Sequence, residues 1–121
     1  MARSREEHLT QVAFVQWCAW NKKKYPALDL GYAIANGGAR NVIVGAMLKK
    51  EGVRKGVPDW CLPVPSKGFG ALYIEFKAKK GIVRTEQFDF LRLLTEYGNK
   101  AAICRSCDEA ANVVKEYLDD V

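Results

Sequence analysis

"GALYIEFKAKK", residues 70–80, decides how this chain folds. Leu72, Ile74 and Phe76 alternate with Tyr73, Glu75 and Lys77, the period-two pattern of a β-strand whose first face is apolar. Residues two apart on a strand project from the same side, so Glu75 and Lys77 are neighbours. A second strand precedes this one in "GVPDWCLPV", residues 56–64, where Pro58 sits at the strand start, a position a sheet tolerates. If the two strands pair through the hairpin-type loop "VPSKGFG", residues 64–70, Asp59 comes close to Glu75. Two carboxylates held together suit a hard divalent cation such as Mg²⁺, which takes oxygen ligands. A lysine beside that ion can orient or deprotonate an attacking water and offset charge building on a phosphate. Alone, E-x-K is an ordinary surface ion pair and P-D a common turn dipeptide. Together, on adjacent strands among apolar residues, Asp59, Glu75 and Lys77 point to phosphodiester hydrolysis.

The remaining elements follow from periodicity and caps. Residues 4–20, "SREEHLTQVAFVQWCAW", carry large residues at positions 9, 12, 13, 16/17 and 20, an amphipathic helix opened by a Ser4–Glu7 capping box. Trp17 and Trp20 fall on that stripe and read as core or interface. "LGYAIAN", residues 30–36, is a strand ended by "GGAR", and "NVIVGAMLKKEG", residues 41–52, a short helix with Gly52 past its end. After the central strand, Thr85 is expected to cap a helix with apolar residues at 88, 91 and 94 and a stop at Gly98. "KAAICRS", residues 100–106, is a strand, and a Ser106–Glu109 capping box opens a final helix with apolar residues at 110, 113, 114, 117 and 118. A hairpin followed by a strand–helix–strand crossover implies an α/β fold, a mixed sheet flanked by helices.

With 121 residues and 49% of them hydrophobic, the chain reads as one compact domain over 1–121. No apolar run approaches the roughly 18 residues a membrane span needs. The N-terminal residues lack the apolar core of a signal peptide, so a cytoplasmic location is expected. The net charge of +5 is unevenly spread: residues 40–84 hold ten of the 19 basic side chains and only Glu51, Asp59 and Glu75 of the 14 acidic ones. A basic middle in a mildly acidic frame suits a polyanion, with nucleic acid the obvious partner. Of the four cysteines, Cys104 and Cys107 form a single C-x-x-C with no second pair at zinc spacing, and a structural role is expected. One histidine, His8, is too few for a histidine-based nuclease.

The ordered set "EEHLTQVAFVQW", "IANGGAR", "LKKEGVRKGVPDWCLPVP", "GALYIEFKAKKG", "TEQFDFL" and "YGNKAAICRS" resembles the VRR-NUC (virus-type replication-repair nuclease) family of the PD-(D/E)XK superfamily, from about residue 6 to 110. The resemblance implies a restriction-endonuclease-like αβββαβ core and a metal-dependent DNA nuclease. It implies Asp59 and Glu75 as ligands of Mg²⁺ or Mn²⁺, with the Phe76 carbonyl as a third oxygen and Lys77 at the nucleophilic water. Glu7 on the first helix would reach the metal directly or through water, with Glu6 as its competitor and Gln11 one turn along. Gln87 would position the water or a phosphate. Asn36, Gly37, Gly38 and Arg40 form a turn whose bare backbone suits phosphate. Lys49, Lys79 and Lys80 read as DNA-backbone contacts, and Trp60 as an aromatic near DNA. Small stand-alone relatives act as homodimers on branched DNA, including four-way junctions. A flap or end-processing nuclease is the competing enzyme, and a non-catalytic nucleic-acid-binding module the competing class.

Overall fold

The computed structural model describes residues 3–35 and 42–120. Its centre is the expected strand, here β3 (Leu72–Phe76), which pairs on one side with β2 (Trp60–Leu62) and on the other with β4 (Lys100–Cys104). β2 runs antiparallel to β3 with Trp60 opposite Ile74 and Leu62 opposite Leu72. β4 runs parallel, with Glu75 opposite Ile103. β1 (Tyr32–Ala33) adds a short antiparallel edge on β2, completing the order β1-β2-β3-β4. The sheet is mixed and flanked by α1 (Arg5–Trp20), α2 (Val42–Lys50), α3 (Thr85–Glu96) and α4 (Cys107–Leu118), with a 3-10 turn at Pro26–Leu30. This is the expected α/β architecture, with α2 inserted between the first two strands of the αβββαβ core.

The β2–β3 connection is a tight hairpin because Lys67 and Gly68 both take positive φ (51° and 87°), which matches the right-handed twist of the flanking strands. Ser66 and Phe69 close it with two backbone hydrogen bonds of 3.0 and 2.8 Å. Its tip is pinned to the end of α4, where the Ser66 hydroxyl and Lys67 ammonium donate to the Tyr117 and Glu116 carbonyls. The β3–β4 connection is parallel, so it needs a crossover, and α3 supplies it.

The apolar face of β3 meets α1 and α4. Phe14 of α1 packs edge-on to Trp60 at 4.9 Å between ring centroids and against Phe76 at 5.5 Å. Leu62, Leu72, Ile74, Ala110 and Val114 are fully buried beneath them. The α4 expectation holds, with Ala110, Val114 and Tyr117 in the core and Val113 and Leu118 packed against it.

Other expectations change. The buried face of α1 is Phe14 and Cys18 with Trp17 against it, whereas Leu9, Val12 and Trp20 are exposed. This helix carries large apolar residues nearly all round, so only its packing on β3 and α4 selects the inner face. Trp60 is a core residue against Phe14, 3% exposed, and not an aromatic at a DNA surface. The cap of α3 is Arg84, in extended conformation, and Thr85 is the first helical residue. On the same helix Leu91 is buried but Phe88 is exposed. Among the described residues, the strand expected over 30–36 covers only Tyr32–Ala33. Burial pushes the Cys18 and Cys104 thiols up to about 12, which suits their structural role.

Gly56 shows how the loop before β2 is seated. It has φ +85°, and a Cβ there would lie 2.8 Å from the Glu86 carbonyl oxygen at the start of α3. A Cβ at Gly68, also at positive φ, would meet nothing within 4 Å. Gly56→Ala should therefore cost about 2–3 kcal/mol, since strain adds to a backbone clash, and Gly68→Ala about 1 kcal/mol from strain alone. Urea denaturation of the two variants beside the wild type checks the order.

Candidate active site

Asp59 immediately precedes β2, and the antiparallel register extends to it: its N–H donates to Ile74 O at 3.0 Å, and its own carbonyl accepts from Ile34 N at 2.8 Å. Pairing to strands on both sides immobilises the backbone that carries the carboxylate. Glu75 follows Ile74 on β3. The two carboxylates and Lys77 are 6%, 2% and 7% exposed, the only buried charged residues among those described. Ionised groups so dry are stable only when paired and hydrogen-bonded.

Each has partners. Asp59 Oδ2 accepts from the Phe76 N–H at 2.7 Å. Lys77 Nζ lies 3.7 Å from Glu75 Oε2, and Gln87 Nε2 donates to the same oxygen at 3.2 Å. The orientation of the Gln87 amide is set by the start of α3, because its Oε1 accepts from Arg84 N at 3.0 Å. One side chain thus completes the helix cap with its oxygen and holds Glu75 with its nitrogen. Glu75 Oε1 is left buried with no partner.

That orphan has a titration signature. Burial first, and then the neighbouring Asp59 charge, push the Glu75 carboxyl from an ordinary value near 4.5 up to about 8, against the lowering pull of Lys77. Glu75 therefore holds its proton to a higher pH than an ordinary carboxyl does.

α1 closes the site from above. Glu7 is half-buried and exchanges hydrogen bonds with the cap: its backbone N–H donates to Ser4 Oγ at 3.1 Å, and its carboxylate Oε2 accepts from Ser4 Oγ at 3.2 Å. Glu7 Oε1 also lies 4.0 Å from Arg3 Nε, while Arg3 Nη2 lies 3.9 Å from Asp59 Oδ2. Glu7 thus faces Asp59 across the Arg3 guanidinium. Glu6 points elsewhere, accepting from Lys79 N at 2.7 Å and tying α1 to the loop that leaves β3. Among the described residues no three His, Cys, Asp or Glu side chains converge into an ion cage. The fit to a divalent cation rests on the orphaned Glu75 oxygen and the Asp59–Glu75 pair beside it.

The expected family is borne out by comparison. The model of the VRR-NUC domain matches residues 2–108. The chain belongs to the VRR-NUC family. A solved structure described as a "VRR_NUC domain protein" superposes with a TM-score of 0.79 at 20% identity, covering 96% of this chain and 90% of that one, a likeness of fold. A search of curated proteins finds no match. As a VRR-NUC domain the chain is a DNA nuclease, and nucleases of the PD-(D/E)XK type generally depend on a divalent metal.

Of the VRR-NUC residues expected from the sequence, the fold brings Asp59, Glu75, Lys77 and Gln87 together, with Glu7 at the rim. The side chains of Lys49, Lys79 and Lys80 are exposed. Asn36, Gly37, Gly38 and Arg40 lie outside the described residues. Two arginines had no signal in the sequence beyond their charge. Arg3 stands in the site. Arg105, just past β4, donates from Nη1 to the carbonyls of Ala78 at 2.7 Å, Lys79 at 3.3 Å and Gly81 at 2.8 Å. It gathers the turn that presents Lys79 and Lys80.

Two outcomes are expected. In chelator, a Glu75 carboxyl raised to about 8 stabilises the fold fully below about pH 4.5, and that contribution is lost as pH rises through 8. Urea midpoints should fall across that window by the equivalent of a few kcal/mol, and Glu75→Gln should remove most of the slope. Arg105→Ala should release the turn after β3, seen as faster amide hydrogen exchange at Gly81, whose N–H bonds Ala78 O at 2.9 Å.

Proposed function

We propose that this VRR-NUC domain is a Mg²⁺- or Mn²⁺-dependent endonuclease that hydrolyses phosphodiester bonds in branched DNA, four-way junctions foremost, as a homodimer. The observation that carries the proposal is the buried, unpartnered Glu75 Oε1 beside Asp59, with the Lys77 ammonium 3.7 Å from the other Glu75 oxygen. Asp59, Glu75 and the Phe76 carbonyl would hold the metal, and Glu7 would join them directly or through water. When bound, the metal supplies Lewis-acid activation of the nucleophile and charge compensation at the phosphate.

The chain's own residues do the rest. The Phe76 N–H fixes one Asp59 oxygen and Gln87 fixes one Glu75 oxygen, so each carboxylate presents its other oxygen in a set direction. Lys77, 8% exposed in its side chain, is too enclosed to swing away. Its Nζ holds the attacking water in line and offsets the negative charge that develops on the phosphate oxygens. A dry site strengthens that interaction relative to water. Lys49, Lys79 and Lys80 would bind the DNA backbone, which gives salt-sensitive affinity without base readout.

Support for self-association comes from α2, which buries none of its residues and exposes Val42, Ile43 and Met47 at 88%, 74% and 55%. A second copy covering such a surface would bring a second site to the opposing strand of a junction. The test is cleavage of a labelled four-way junction, a flap and a plain duplex in Mn²⁺. Wild type should cut the junction fastest and only with metal. Asp59→Ala and Lys77→Ala should lose at least about 10²-fold in rate while retaining junction binding in Ca²⁺. Metal-independent cutting, or equal cutting by the variants, would overturn the assignment, and faster flap cutting would move the substrate to flaps.

A further inference from the structure

We propose that Arg3 is a resident cation of the carboxylate site, and that a divalent ion loads by displacing its guanidinium. This rests on the reading of Asp59 and Glu75 as the ion site and adds a residue that reading does not contain.

The geometry supports a placed side chain. Arg3 precedes the Ser4 cap, and its guanidinium folds back along α1. Nη1 donates to Gln11 Oε1, two turns into the helix, and Nη2 donates to the Glu7 carbonyl at 3.3 Å. Those anchors aim the charged fork between Glu7 and Asp59, at 4.0 and 3.9 Å. A guanidinium presents five donors in a rigid plane, so bonds on one side direct the remainder. What they meet is the edge of a pair of buried carboxylates that Lys77 alone does not neutralise.

Burial separates Arg3 from a permanent member of the core. Its side chain is 34% exposed, against 8% for Lys77, and it reaches the site from a segment ahead of the helix. Lys77 is therefore built in, whereas Arg3 can leave through the mouth at little packing cost. An ion sharing the Asp59 carboxylate meets the guanidinium as a like charge. The two cations compete for one anionic site, so removing either tightens the hold of the other. In the metal-free protein Arg3 keeps the carboxylates neutralised, and metal loading frees it towards the solvent side, where the DNA phosphates arrive.

Calorimetric titration with Mn²⁺ in the absence of DNA tests this, using wild type, Arg3→Gln, Arg3→Lys and Asp59→Asn, with circular dichroism to verify folding. Arg3→Gln should bind Mn²⁺ roughly 5-fold tighter or more than wild type, in the range of typical site-to-site coupling, and Arg3→Lys should stay near wild type. In chelator the thermal midpoint of Arg3→Gln should fall below that of wild type, and saturating Mn²⁺ should close the gap. Unchanged or weaker Mn²⁺ binding by Arg3→Gln, at a site that Asp59→Asn abolishes, would overturn the role of Arg3 alone. Absence of Mn²⁺ binding by wild type, or binding untouched by Asp59→Asn, would overturn the ion site and Arg3's role together.

Discussion

The pairing of β2 with β3 confines two carboxylates in a dry corner of the sheet, and the rest of the site answers that confinement. A buried ion without partners costs several kcal/mol, a large part of a small domain's stability. Lys77 just past β3, Gln87 from the next helix, the Phe76 amide and Arg3 from ahead of α1 each relieve part of that cost. None reaches Glu75 Oε1. That oxygen is left without a hydrogen-bond donor, although Lys77 and Arg3 offset the charge of the two carboxylates. A pair packed purely for stability would leave no such gap, whereas a site that must exchange an ion needs one.

The supports are economical in residues because single side chains serve two elements. Gln87 ends the cap of α3 and orients Glu75. Adjacent Glu6 and Glu7 point about 100° apart around α1, so one holds the Lys79 amide and the other faces Asp59. Arg105 gathers three carbonyls of the turn beyond Lys77, fixing the place where the exposed Lys79 and Lys80 leave the sheet. These links are hydrogen bonds between segments distant in the chain, and they tie β3 and the turn after it to α1 and α3.

Much of this was legible because strands and caps are local. The alternation of residues 72–77 and the loop "VPSKGFG" were enough to place Asp59 against Glu75, since a short hairpin leaves little choice of register. Ser4 and Ser106 were recognisable as caps from their own sequence windows. The misreadings share a cause. Trp60 lies beside Asp59 in sequence but projects to the opposite face of the sheet, into Phe14. The inner face of α1 was ambiguous because several faces are apolar. Thr85 is a better capping residue than Arg84 by composition, yet Arg84 takes the position because Gln87 reaches its amide.

By itself, then, the amino-acid sequence determined the α/β order of elements, the pairing of Asp59 with Glu75 and the placing of Lys77 beside them. Periodicity, turn length and caps act over a few residues and leave their mark in a single stretch of chain. Only the tertiary structure decided which of Glu6 and Glu7 faces the site, that Trp60 is core, and that Arg3 stands between Glu7 and Asp59. Those outcomes depend on which surfaces of α1 and β3 meet, a matter of shape and charge between segments more than fifty residues apart.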